Sequence, residues 1–242
     1  MEIIWARFSV NDPVLGDAVW RDIDEAQIDP AVRRELVNNG FRAGVISGSM
    51  PDAITSVLHQ RESSAEPTQK DAGKSPNGEL LNDPVVHGRK CRVRRNQRSE
   101  IQASEVYPSM PLLLSGDSGL GGRPYSQAQA VYALRVDPRP DRSVTVWLTP
   151  EIHYGAPRTK FVNEEAALRV ETQREREVFE KLRLSVKLAP GDSLVLMSLP
   201  NAGSRLGHYF HTVESSDGTQ QKLILIRLAD VPPSDSFADN EK

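Results

Sequence analysis

The sequence contains a single cysteine, Cys91, among its 242 residues. One cysteine cannot form an intramolecular disulfide, and it argues against a zinc site built from several cysteines of one chain. No apolar run reaches the roughly 18 residues that a transmembrane helix requires, and the first residues lack the basic stretch and long apolar run of a secretory signal. We therefore expect a cytoplasmic protein, with a cell-envelope location only if the chain as given lacks its natural start.

The sequence also lacks an excess of one charge, with 30 basic and 33 acidic residues and a formal net charge of −3. Dedicated nucleic-acid or membrane-surface proteins carry a marked basic excess, so we do not expect nucleic acid as the main partner. The three tryptophans, Trp5, Trp20 and Trp147, are scattered along the chain, which indicates packing anchors rather than a carbohydrate platform. An unidentified protein is the expected partner, and the composition does not indicate an oligomeric state.

Two helix-start signals predict a small helical module over residues 1–59. Asp12-Pro13 and Asp29-Pro30 each place an N-cap aspartate before a proline at the first helical position, and apolar residues recur after them at helical spacing. The two helices are expected to form an αα-hairpin, followed by a short strand at 41–46 and a third helix at 51–58. A helix pair is also typical of DNA-binding domains, but acidic residues in the first helix would repel phosphate. We therefore predict a packing module.

Two segments contain few large apolar side chains, and in the first of them none precedes Leu80. Residues 60–87 and 232–242 are rich in charged residues, serine, proline and glycine. Segments of this composition bury too little apolar surface to offset the entropy lost on ordering. We predict that the first is a disordered linker and the second a disordered tail.

The region between them, residues 88–231, is predicted to be β-rich because apolar and polar residues alternate along it. Residues 125–136 and 144–149 flank a Pro/Arg/Asp turn and are expected to form a hairpin. Residues 222–228 are apolar on both faces, as expected for a central buried strand. About seven or eight strands with such turns indicate a mainly antiparallel β-sandwich or partly open barrel, so the whole chain is assigned to the α+β class.

A cluster of six basic residues within ten positions stands at the start of the β-rich domain: Arg89, Lys90, Arg92, Arg94, Arg95 and Arg98. The alternation of Arg92 and Arg94 with Cys91 and Val93 predicts a strand. Such a basic strand could bind anions, either nucleic acid or acidic lipid. Alternatively, its charge protects a sheet edge from pairing with another chain. No aromatic residue interleaves the cluster, so the stacking platform of single-strand binders is missing.

Three histidines are the candidate metal ligands: His153, His208 and His211. Histidines three positions apart converge on a metal when they lie on a helix, but they point to opposite faces of a strand. We favour a strand for residues 206–213. Glu151 and Tyr154, which lie beside His153, form a further polar candidate, although Pro150 and Gly155 are also typical of a strand end.

No stretch of the chain carries a specific catalytic or cofactor signature, and no cofactor is expected. The leading hypothesis is a non-catalytic binding or structural protein that acts through protein–protein interaction, since binding by a sheet edge or a groove needs no motif visible in one sequence. One alternative is an anion-binding module that uses the basic strand 89–98. Another is a metal-dependent hydrolase that uses His153, His208 and His211.

Overall fold

The computed structural model describes residues 1–10, 19–56, 58, 86–117, 119–164, 167–215 and 218–230. Side chains are described over the same ranges except at 159–164, 167–172 and 215. In these ranges the strands are β1 (Glu2–Ser9), β2 (Phe41–Ile46), β3 (Val86–Lys90), β4 (Ser99–Gly116), β5 (Gly119–Pro138), β6 (Val144–Glu164), β7 (Ala167–Val178), β8 (Leu184–Leu188), β9 (Ser193–Ser198), β10 (Thr212–Ser215) and β11 (Gly218–Arg227). The helices are α1 (Pro30–Asn38), α2 (52–56) and α3 (Leu206–His211). None of these helices is long and apolar enough to cross a membrane.

The strands form two antiparallel sheets. Sheet A has the order β2-β9-β11-β1-β3, with β10 paired to the first part of β11. Sheet B has the order β4-β5-β6-β7, with β8 paired to the first part of β6. The chain is thus mostly antiparallel β structure in two sheets and is not a closed barrel.

Strand β11 lies at the centre of sheet A, between β9 and β1. Its residues Leu223, Ile224, Leu225 and Ile226 are all fully buried. Successive side chains of a strand point to opposite faces, so four apolar residues in a row require both faces of the sheet to be covered. Sheet B covers one face. The segment around Trp20 and Ile23, together with α2, covers the other. The prediction of a central buried strand at 222–228 is confirmed.

Sheet B packs against sheet A with one face, while its other face carries both buried residues, such as Val131, and exposed ones, such as Arg135. Tyr132 and Leu134 of β5 and Val146 and Leu148 of β6 point toward sheet A and are fully buried. The β5–β6 hairpin pairs Pro138 with Val144, as its sequence predicts. We call the opposite side, which faces away from sheet A, the outer face of sheet B.

The predicted N-terminal helical module is wrong, because residues 2–9 form β1 inside sheet A. Helix α1 does form where the second start signal lies, and the Asp29 carboxylate accepts hydrogen bonds from Ala31 N at 2.8 Å and Val32 N at 3.2 Å. Of the first predicted helix, residues 11–18 lie outside the described ranges, and Val19–Asp22 is a single 3₁₀ turn. Helical periodicity therefore identified α1 but not β1, whose pairing partners β3 and β11 lie far along the chain.

Two predicted strands also differ from the structure. Strand β3 ends at Lys90, and residues 91–98 form the non-strand connection from sheet A to sheet B, with a turn at Asn96 whose φ is 56°. Residues Leu206–His211 form helix α3 rather than a strand. Cys91 still bonds Met1, but residues 92–98 and 206–211 belong to no strand ladder in the described part of the chain. Apart from Val86 and His87, the predicted linker 60–87 lies outside the described residues, as does the tail 232–242.

Helix α3 packs closely against the turn between α1 and β2. Gly207 N donates to Asn39 O at 2.9 Å, and a Cβ on Gly207 would lie 2.0 Å from Gly40 O. Gly40 itself has a φ of +83°, in the region that favours glycine. The close approach of these two backbones leaves no room for a side chain at either residue.

We expect Gly207→Ala to lower the free energy of unfolding by about 3 kcal/mol or more, because a backbone must move to admit the methyl group. The matched control is Gly121→Ala in β5, where an added Cβ has no atom within 4 Å and φ is not positive. The control is expected to change stability by less than about 0.5 kcal/mol. Urea unfolding of both variants tests this, and equal stabilities would contradict the close packing.

Candidate functional site

The structure separates the six basic residues that the sequence groups together. Arg95 pairs with Asp137 at 2.9 Å, and Arg98 pairs with Glu151 at 2.6 Å and also with Glu100. The other four are exposed: Arg89, Lys90, Arg92 and Arg94. The segment therefore does not present one continuous basic strand, since part of its charge is neutralised by carboxylates of sheet B.

The three candidate metal ligands are also separated. His153 lies on the outer face of sheet B, whereas His211 is buried between the two sheets. His208 is partly exposed on α3. Among the described residues, no group of three or more His, Cys, Asp or Glu side chains is close enough to hold a metal ion.

His211 and Tyr132 form a buried polar pair in the core. The imidazole Nδ1–H donates to the carbonyl of Lys222 at 2.9 Å, so Nε2 accepts the hydroxyl hydrogen of Tyr132 at 2.7 Å. Burial and the charge of Lys222 lower the pKa of His211 to about 3, and burial raises the pKa of Tyr132. Both side chains are neutral near pH 7 and have their polar atoms satisfied, so the pair has a structural role.

The outer face of sheet B carries a basin with a volume of about 350 Å³. Its lining includes Arg98, Arg135, Trp147, Thr149, Glu151 and Arg183. Glu151 is only 3% exposed, and its carboxylate Oε2 lies 2.6 Å from Arg98 Nη2 and 2.9 Å from His153 Nε2. Burial raises the pKa of Glu151, but the hydrogen bond with His153 and the charge of Arg98 outweigh burial, so the pKa is lowered overall. Strand β6 continues through Pro150 and Gly155, so this polar cluster is not at a strand end.

A second and larger cavity, about 600 Å³ in volume, is a groove between the sheets where β3 and β4 form their edges. We call it the inter-sheet groove, and its lining includes Trp5, His87, Arg89, Gln102, Tyr107 and Val213. The rings of Trp5 and His87 lie 5.6 Å apart. Tyr107 packs edge-on against Tyr209, and burial raises its pKa to about 12. Two aromatic side chains thus form opposite walls of the groove.

The β4 edge beside the groove is largely covered by other parts of the chain. Lys222 Nζ donates to Ala103 O, Tyr209 OH donates to Pro111 O at 2.8 Å, and Leu113 N donates to Ser204 O at 2.8 Å. Asn39 bonds both the N–H and the carbonyl of Ser115. These contacts satisfy backbone groups that would otherwise recruit another strand.

The β3 edge, in contrast, pairs with no described strand other than β1. Met1 and Cys91 exchange two hydrogen bonds of 2.9 Å. Because hydrogen-bonded and non-hydrogen-bonded pairs alternate in an antiparallel ladder, Arg89 and His87 also bond β1. The N–H and carbonyl groups of Gly88 and Lys90 therefore face away from the sheet.

The chain matches no protein-family model, no curated protein and no solved structure in the comparisons made.

The residues that the sequence analysis missed are Tyr107 and Arg135, along with the roles of Trp5 and Trp147. Each lies in an ordinary alternating segment, so no local signal distinguishes it. Arg98, His153 and Glu151 were each identified as candidates, but their mutual contact depends on the strand register of sheet B.

The buried histidine predicts a dependence of stability on pH. An unfolded histidine has a pKa of about 6.5, so between that pH and about 3 the unfolded chain binds a proton that His211 in the folded protein does not. As the pH falls well below 6.5 toward 3, we expect His211 to lower the free energy of unfolding by about 1.4 kcal/mol for each pH unit. Denaturant unfolding at pH 7, 6, 5 and 4 measures this slope.

The variant His211→Gln is expected to reduce the slope of the unfolding free energy against pH by about 1.4 kcal/mol per pH unit, which is the contribution of one proton. The companion variant Tyr132→Phe removes the hydroxyl donor but keeps the imidazole. Its free energy of unfolding should therefore keep the same slope against pH but be lower by about 1–3 kcal/mol at pH 7. If His211→Gln leaves the slope unchanged, the low pKa of His211 is refuted.

Proposed function

We propose that this protein is a non-catalytic binding protein that takes up an extended segment of a partner protein along β3. The observation that carries the proposal is the position of the β3 edge, which pairs with no described strand other than β1, directly beside the inter-sheet groove. An extended peptide can add to such an edge through main-chain hydrogen bonds, while its alternate side chains enter a neighbouring groove.

The backbone groups at this edge support the proposal. Gly88 and Lys90 each offer one N–H and one carbonyl that face away from β1. Their spacing of two residues matches the spacing of the complementary groups in an extended peptide. Gly88 has no side chain, so a peptide backbone can approach it closely.

The groove supplies the second part of the binding surface. Its walls are Trp5 with His87 from sheet A and Tyr107 from sheet B. Aromatic side chains of this kind are the usual anchors of protein interfaces because they bury a large area at a small entropic cost. The exposed polar residues Arg89, Gln102 and Glu105 at the rim are suited to contacts that remain partly hydrated.

The two alternative functions have less support. For anion binding, Arg95 and Arg98 are already paired with carboxylates, and this pairing reduces the attraction for phosphate. For a metal-dependent hydrolase, His153 and His211 point to opposite sides of sheet B, so one ion would not bridge them. Binding of a partner segment along β3 leaves the contacts of Arg95, Arg98, His153 and His211 unchanged.

The test uses peptides selected from a displayed library of random segments about ten residues long. We expect selected peptides to bind the wild-type protein and to shift the indole ¹H–¹⁵N signal of Trp5 in the groove. Lys90→Pro should weaken their binding at least about tenfold, because proline removes an N–H that faces the peptide and blocks the edge. The β1–β3 pairing should persist, since Lys90 N–H is not bonded to β1.

The matched control is Lys90→Ala, which removes the side chain and its charge but keeps the backbone N–H. Binding to this variant should stay within about threefold of wild type. Equal binding by Lys90→Pro and Lys90→Ala would contradict strand addition. Selected peptides that leave the Trp5 signal unchanged would contradict the groove as the binding site.

A further inference from the structure

We infer that the basin on the outer face of sheet B is a second binding site, which takes a small planar monoanion such as an aromatic carboxylate. This site is separate from the inter-sheet groove and does not depend on partner binding. The observation behind it is a guanidinium group that has no counter-charge among the described residues and lies beside a partly exposed tryptophan.

The unpaired cation is Arg135. Three arginines line the basin, and two of them have carboxylate partners: Arg98 with Glu151, and Arg183 with Glu180. Arg135 is exposed and has no hydrogen-bond or ion-pair partner among the described residues. Its planar fork of N–H donors matches the two oxygens of a carboxylate.

The tryptophan is held beside that cation by the register of the sheet. Trp147 of β6 lies directly opposite Arg135 of β5, and the side chains of such cross-strand neighbours are within reach of one another. Trp147 also pairs with Ser185 of β8, whose small side chain leaves the indole partly exposed in the basin. A ligand carboxylate on Arg135 therefore places the rest of the ligand against the indole.

The remaining charges of the basin favour one negative charge over two. Glu151 forms part of its lining and Glu180 lies beside Arg183. Both carboxylates would repel the second charge of a phosphate dianion. A single free guanidinium matches a single negative charge, which selects a carboxylate, and the partly exposed indole selects a planar group next to it.

The three tryptophans make the two proposed sites separately observable. Trp5 lies in the inter-sheet groove and Trp147 in the basin. Trp20 lies on the other side of sheet A, where the Arg42 guanidinium covers its ring at 4.3 Å. Each tryptophan contributes one indole ¹H–¹⁵N signal, and the signal of Trp147 is identified by its loss in Trp147→Phe.

The experiment titrates the full chain with benzoate and, in parallel, with benzamide, acetate and phenyl phosphate. We expect benzoate to shift the Trp147 signal with a dissociation constant of about 1–10 mM, as suits a ligand of so few atoms. Benzamide lacks the charge, acetate lacks the ring, and phenyl phosphate carries a second charge. Each should bind at least about fivefold more weakly than benzoate.

The variant Arg135→Gln should weaken benzoate binding at least about fivefold. Arg176→Gln is the matched control, because Arg176 is an exposed arginine of β7 opposite His153 that does not line the basin. It removes the same charge from the same sheet and should leave binding unchanged.

Three results would overturn the inference: no shift of the Trp147 signal up to about 50 mM benzoate, binding of benzamide equal to that of benzoate, or equal effects of the two arginine variants. A shift of Trp5 alone would assign benzoate to the groove instead.

Discussion

The structure depends on the burial of sheet A on both of its faces. Four consecutive apolar residues of β11, Leu223–Ile226, are fully buried, and each contributes about 1.5–3 kcal/mol relative to an exposed position. Sheet B and the layer around Trp20 must both be in place to exclude water from them. Because β1 and β9 flank β11, the first and last parts of the described chain become neighbours in one sheet.

The burial of sheet A on both faces also determines where clusters of polar side chains can lie. Sheet B packs against sheet A with one face, so its outer face can carry Glu151 and Trp147. Arg98, from the connection 91–98, pairs with Glu151 there. The groove opens at the edges of β3 and β4, where the two sheets no longer pack directly on each other. The groove therefore lies at the border of the core, and the basin lies on the side of sheet B that faces away from it.

Helix α3 contacts the α1–β2 turn, the β4 edge and the core between the sheets. Gly207 lets it approach the α1–β2 turn, Tyr209 covers a carbonyl on the edge of β4, and His211 bonds Tyr132 inside the core. Together with Asn39, Ser204 and Lys222, the helix covers backbone groups along the β4 edge. The β3 edge, in contrast, pairs with no described strand other than β1.

The sequence by itself determined the local elements: the Asp29-capped helix, the β5–β6 hairpin and the apolar central strand all follow from residue periodicity and turn chemistry. It did not determine β1 or α3, because the partners of Ile3 and Phe210 lie far away in the chain and decide which conformation buries them. It identified Arg98, Glu151 and His153 only as separate candidates. Their contact, and the placement of Arg135 opposite Trp147, come from strand register, which only the packed tertiary structure sets.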